Sequence, residues 1–127
     1  MNALQKAIEQ GALNAPQACE TDSVCRSFRF GKEFAGFDGH FPDYPILPAV
    51  AQIQMILSTA QMVLKTPVNL LGVLNAKFMI PIKPEQEIVV KCHLMESAQG
   101  VEVKARLTLG PDLAATFTLQ LERASHA

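Results

Sequence analysis

Pro48-Ala49-Val50-Ala51-Gln52-Ile53-Gln54-Met55-Ile56-Leu57-Ser58-Thr59-Ala60-Gln61-Met62-Val63-Leu64-Lys65-Thr66-Pro67 is the stretch that decides the fold. It predicts a helix over Pro48–Thr66. Proline is at home in a first helical turn, where its missing N–H does no harm. Pro67 stops the run, because a proline inside a helix removes a hydrogen bond and clashes with the preceding turn. No charged residue occurs from Ala49 to Leu64, and apolar side chains cover most of the circumference. Such a helix is expected to be buried nearly all round. One polar stripe runs along it: Gln54, Ser58, Gln61 and Lys65, spaced by four, three and four. A membrane-spanning helix wants about 20 mostly apolar residues. Gln52, Gln54, Ser58, Thr59 and Gln61 within the segment point instead to the interior of a soluble protein.

The residues around the helix say what encloses it. Downstream, Leu70–Ile80 is apolar and β-prone, and Glu87–Met95 sets Ile88, Val90, Cys92 and Leu94 on one face. Val101, Val103, Ala105, Leu107 and Leu109 alternate with Glu102, Lys104, Arg106 and Thr108, and Ala115–Leu121 repeats the device. Alternation at period two reads as half-buried strands. Turns at Pro81–Gln86, Ser97–Gly100 and Gly110-Pro111-Asp112 are short, so neighbouring strands run antiparallel. Upstream, Ala3–Gln10 reads as a short helix ended by Gly11. Ala18–Phe30 reads as one strand whose inner face, Val24, Phe28 and Phe30, is interrupted by Arg26. The expected fold class is α+β: a curved antiparallel sheet wrapped around one long helix.

The chain has 127 residues, which favours a single domain over 1–127. Apolar residues make up 49% and charged residues 18%, so a packed core is expected and a disordered chain is excluded. With 11 basic against 12 acidic residues there is no basic excess to hold nucleic acid. Cys19, Cys25 and Cys92 are an odd and sparse set. They read as reduced, buried or half-buried thiols rather than a disulfide framework. Cys92 and His93 are strand neighbours on opposite faces and cannot easily share a metal. The start, Met1-Asn2-Ala3-Leu4-Gln5-Lys6, lacks the basic-then-apolar pattern of a signal peptide, so a cytoplasmic location is expected.

The chemistry lies in the long loop Gly31–Leu47, and above all in Gly39-His40-Phe41-Pro42-Asp43-Tyr44-Pro45-Ile46-Leu47-Pro48-Ala49-Val50. A histidine sits in a proline-stiffened loop that runs straight into a helix start. That helix end offers unpaired N–H groups and partial positive charge to an oxyanion. A neutral imidazole beside it suits a general base near pH 7. Together they fit proton abstraction alpha to a carbonyl. A loop histidine merely bonded to nearby backbone is the other reading of the same residues.

The pattern Gly-His-Phe-Pro-x-x-Pro-x-x-Pro resembles the signature of the beta-hydroxyacyl-acyl-carrier-protein dehydratases, enzymes of the hot-dog fold. The resemblance extends through Phe37, the long helix, and Lys77-Phe78-x-x-Pro81-Ile82-x-Pro84. The run Leu47-Pro48-x-Val50-x-Gln52-Ile53 is most similar to the dehydratase-like proteins of aryl-polyene-type pathways. The resemblance implies a (3R)-3-hydroxyacyl thioester substrate, a trans-2-enoyl product, and no metal or organic cofactor. The acyl group would arrive on an acyl carrier protein or on coenzyme A. It implies that His40 takes the C2 proton. Phe41, Pro48, Ala49 and Val50 would line the substrate, with the Ala49 N–H on the thioester oxygen. Ala49 stands where the family usually has glycine; the added methyl keeps that donor but can crowd the ligand. Such proteins pair as homodimers or higher oligomers, so that His40 of one chain would face Gln54 of the other.

Gln54 is the departure. The family carries Glu or Asp fourteen positions after the histidine, where this chain has Gln54. An amide can hold a hydroxyl or a water but cannot serve as a carboxylic acid. The helix holds no other acid, and Asp38 and Asp43 read as loop residues. Three functions stay open: a dehydratase in which His40 both removes and returns the proton, a non-catalytic acyl-thioester binding protein or inactive subunit, and a hot-dog thioesterase. His40 is expected at the mouth of an apolar pocket into which the Ala49 N–H points. His93 and His126 read as surface residues.

Overall fold

The computed structural model describes residues 2–34, 37 and 45–124. Helix α1 (Ala3–Gln10) forms where expected, and the Asn2 and Gln5 side chains each accept from the other's backbone N–H at 2.8 Å, closing a capping box. The expected strand Ala18–Phe30 is in fact a hairpin. β1 (Gln17–Glu20) and β2 (Ser23–Phe28) fold back on each other at Thr21-Asp22. Threonine and aspartate are turn residues that bond to their own backbone, and here that preference overrides continued alternation.

The hairpin also corrects the reading of the thiols. It brings Cys19 and Cys25 to a Cα separation of 5.8 Å, and they form a disulfide. That distance is what a bridge requires. Cys92 stays a free thiol in the core, and burial pushes its pKa up to about 12.

Helix α2 (Ala49–Leu64) follows, then β3 (Val68–Phe78), β4 (Ile88–Ser97), β5 (Gly100–Leu109) and β6 (Asp112–Arg123). The six strands make one antiparallel sheet in the order β1-β2-β4-β5-β6-β3. The α+β architecture is therefore the expected one, with one more strand before the long helix. Gly110 turns β5 into β6 at φ 59°, a left-handed conformation that costs glycine nothing. The core forms between one sheet face and α2. Phe28, Val90, Val103, Leu107, Phe117 and Leu119 pack with Ala51, Met55, Ile56 and Ala60.

Arg26 does not interrupt that face. It is 3% exposed, its guanidinium grips Glu9 of α1 at 2.9 and 3.0 Å, and its Nε donates to the Asn14 carbonyl at 2.9 Å. It also lies over the Phe28 ring, 5.0 Å from the centroid.

Helix α2 is not buried all round, as its composition led us to expect. The sheet covers one side. On the other side Val50 and Met62 are exposed and Ile53, Gln54 and Leu57 are half-buried. Edge strand β3 is open too. Leu70, Val73 and Phe78 pair with the buried Leu121, Leu119 and Ala115 and so point to the same face, yet each stays 37–45% exposed, even Phe78, which is tilted against the Phe117 ring at 6.0 Å. Leu71, Leu74, Met79 and Ile80 extend this exposed apolar stretch. Its pairing with β6 slips between Leu74 and Lys77, around Asn75 at φ 54°.

Candidate active site

The site is built at the start of α2. The segment leading into it is pinned to the strand region, because the Leu47 N–H donates to the Ile82 carbonyl at 2.7 Å. Leu47 and Ile82 are both buried. Pro48 then takes the N-cap position at φ −72° and ψ 161°, extended and without a side-chain cap. Its carbonyl accepts from both Ala51 and Gln52 N–H at 3.1 Å. The N–H groups of Ala49 and Val50 have no acceptor among the described residues. No acidic side chain occupies the first turn, so the positive end of the helix is uncompensated there. Both residues are exposed, Val50 at 61%. Two free donors at an open helix end can bind a carbonyl oxygen or oxyanion.

The polar stripe of α2 divides. Ser58 Oγ bonds to the Glu9 carboxylate beside Arg26. Gln61 Oε1 accepts the Val68 N–H at 3.1 Å, tying the helix to β3. Lys65 closes the helix as a left-handed cap at φ 57°. These three hold the fold together. The Gln54 side chain has no hydrogen-bond partner among the described residues. It is half-buried on the open side of the helix, four residues after Val50.

His40 and Phe41 fall in 38–44, outside the described residues, and so does the expected pocket around them. Pro48, Ala49 and Val50 stand together at the helix end, and Gln54 lies on the next turn of the same open face. His93 is half-buried on the sheet, with Nδ1 2.9 Å from the Asp22 carbonyl. His126 also falls outside the described residues. Among the described residues no group of three or more His, Cys, Asp and Glu is placed to hold a metal, and no helix is long and apolar enough to cross a membrane.

One polar residue escaped the sequence reading. Gln52 is 5% exposed, and its Nε2 donates to the Leu47 carbonyl at 3.1 Å. Its amide oxygen is buried without a partner among the described residues. The signal was available. Gln52 precedes Gln54 by two residues, about 200° round the helix, so it lies off the polar stripe and on the side that must be covered.

The family model for ApeI-like proteins, described as ApeI dehydratase, matches residues 16–120. The chain belongs to the ApeI-like dehydratase family. The 3-hydroxyacyl-[acyl-carrier-protein] dehydratase FabZ of Chlamydia muridarum is 30% identical over 89 residues, covering 62% of this chain and 58% of that one. The FabZ of a Janthinobacterium species is 25% identical over 75 residues, covering 51% and 48%. This ApeI-like chain thus spans about half the length of the curated relatives it matches. Its fold is that of the dehydratase heterocomplex ApeI:P from Xenorhabdus doucetiae, at a TM-score of 0.72 and 22% identity over 88% of this chain and 96% of that one. The PaaI protein of Escherichia coli shares the fold at a TM-score of 0.67 and 10% identity, over 95% and 88%. The architecture is accordingly the hot-dog fold.

Proposed function

We propose that this ApeI-like protein eliminates water from (3R)-3-hydroxyacyl thioesters carried on an acyl carrier protein, giving trans-2-enoyl thioesters for fatty acid or polyene-type lipid synthesis. The observation that carries this reading is the start of α2, where the Ala49 and Val50 N–H groups have no acceptor among the described residues, nine and ten positions after His40. The thioester oxygen lies on these donors, with Phe41 and Pro48 against the acyl chain. As C2 loses its proton to His40, negative charge gathers on that oxygen, and the helix end stabilises it. The electron pair left at C2 forms the double bond, the C3–oxygen bond breaks, and the proton held by His40 completes the departing water. Gln54 positions the hydroxyl or a water. No metal or organic cofactor takes part.

The site requires a second chain in this reading. The open face of α2 and the apolar β3 are what a homodimer would cover, placing Gln54 of one protomer opposite His40 of its partner. Residues 1–127 act as one domain, in the cytoplasm, where the carrier protein is met.

A second reading is favoured by Gln54 itself. Without a carboxylic acid on α2, the chain would bind acyl thioesters without turning them over, as an inactive subunit. Following enoyl-thioester hydration and 3-hydroxyacyl-thioester dehydration with the wild type and His40→Ala separates the two. Turnover abolished by His40→Ala supports the dehydratase. Binding without turnover supports the subunit.

A further inference from the structure

The buried amide oxygen of Gln52 has a consequence for ligand choice. Nε2 and Oε1 are told apart by their surroundings: the nitrogen faces the Leu47 carbonyl, which can only accept, so the oxygen is the unpaired atom. A buried acceptor with no donor has lost its water and gained nothing, and such groups are rare in folded proteins. Helical side chains slope toward the N-terminus. The reach of Gln52 back to Leu47, five residues earlier, sets its amide beside the first turn of α2. That is the end at which the Ala49 and Val50 N–H groups also lack an acceptor among the described residues. Two unpaired donors and one unpaired, nine-tenths-buried acceptor therefore share one end of one helix. Their complement is a ligand with an oxygen acceptor and a hydroxyl donor a short distance apart.

We infer that Gln52 determines specificity, its amide oxygen accepting the hydrogen bond of the substrate's 3-hydroxyl while the thioester oxygen sits on the Ala49 and Val50 N–H groups. This rests on the acyl-thioester reading above and sharpens it. A saturated acyl thioester or the enoyl product carries no donor at C3 and leaves the oxygen unpaired. A site built to bond a hydroxyl rejects analogues that lack it far more strongly than an apolar pocket rejects a change of size. Gln52 is thus a selector for substrate over product. It moves no proton, because an amide oxygen has none to give.

The test is equilibrium binding of 3-hydroxybutyryl- and butyryl-pantetheine thioesters to the His40→Ala chain, in which the ligand is not turned over. That chain is expected to bind the hydroxylated thioester roughly tenfold or more tightly than the saturated one. Gln52→Met, similar in size and without the acceptor, is expected to bring the two affinities within about twofold by weakening only the hydroxylated ligand. Equal binding of the two thioesters by the parent, or a preference that survives Gln52→Met, overturns the role of Gln52 and leaves the acyl-thioester reading standing. Binding of neither thioester overturns both. Should Gln52→Met fail to fold, the parent's preference decides alone.

Discussion

Arg26 of β2 and Glu9 of α1 form a two-bond ion pair, 2.9 and 3.0 Å, that fastens the N-terminal helix to the sheet beside Ser58 of α2. Arg26 is 3% exposed and the Glu9 side chain 30%. Removing one partner leaves the other partly desolvated and unpaired. Arg26→Met is therefore expected to destabilise the fold by about 1–3 kcal/mol, below the figure for a fully buried pair because Glu9 keeps contact with water. Thermal melts of the two proteins check it.

The same pair sets an acid limit. The hydrogen bond from Arg26, aided by Ser58, holds the Glu9 carboxyl below the usual carboxylate range against the opposing effect of burial. A group whose pKa is lower folded than unfolded favours the folded state above its unfolded value, about 4.3 for glutamate, and loses that contribution as pH falls through the folded value. Melting temperature should fall between about pH 4 and the acid range, and Glu9→Gln should flatten that segment of the profile while lowering stability at pH 7.

In the proposed reaction His40→Ala should abolish turnover. Gln54→Ala should cost no more than one neutral hydrogen bond, up to roughly tenfold in rate. Gln54→Glu should raise the rate, since it restores a proton donor in a half-apolar setting that lifts a carboxyl pKa toward neutrality. Initial rates with crotonyl and longer enoyl thioesters measure all three. A rate untouched by His40→Ala would remove the mechanism.

The thiols should behave as two classes. Without reductant, alkylation at pH 8 should leave the folded protein unlabelled, since Cys19 and Cys25 are joined and Cys92 is buried with its pKa pushed up to about 12. Unfolding should release one reactive thiol, and unfolding with reductant three, as counted by mass. Three thiols without reductant would mean that the pair is open in the protein as isolated.

Association is equally accessible. The wild type should sediment as a dimer at micromolar concentration, and Leu71→Lys, a charge at a 57%-exposed site on β3, should shift it toward monomer. A wild-type monomer would contradict the shared site.

Most of the architecture was legible because alternation and helical periodicity report burial directly. α1, α2 and the four strands after it fell within a few residues of their expected positions. The hairpin was missed because β1 is exposed along its length and carries no burial pattern to mark it. The disulfide followed from that miss, since only the fold-back brings Cys19 near Cys25. Arg26 looked like a fault in a strand because its partner, Glu9, is seventeen residues away on another element. Of the site, the helix start was readable from Pro48. The burial of Gln52 was readable too, from its place off the polar stripe, but not which atom of its amide lacks a partner among the described residues.

The left-handed Asn75 and the charged Lys77 divide β3 into two unequal parts. A free sheet edge is a template for any extended chain, and newly made protein meets many of them. The slips after Leu70 and after Leu74 break the regular spacing of N–H and C=O groups, so an intruding strand finds only short runs in register. Short runs reward a partner whose own edge has the same interruptions and offer little to an indiscriminate one. The kink that looks like an imperfection is thus a safeguard against aggregation, and straightening it, for example by Asn75→Val, should lower soluble yield even if the folded protein gains stability.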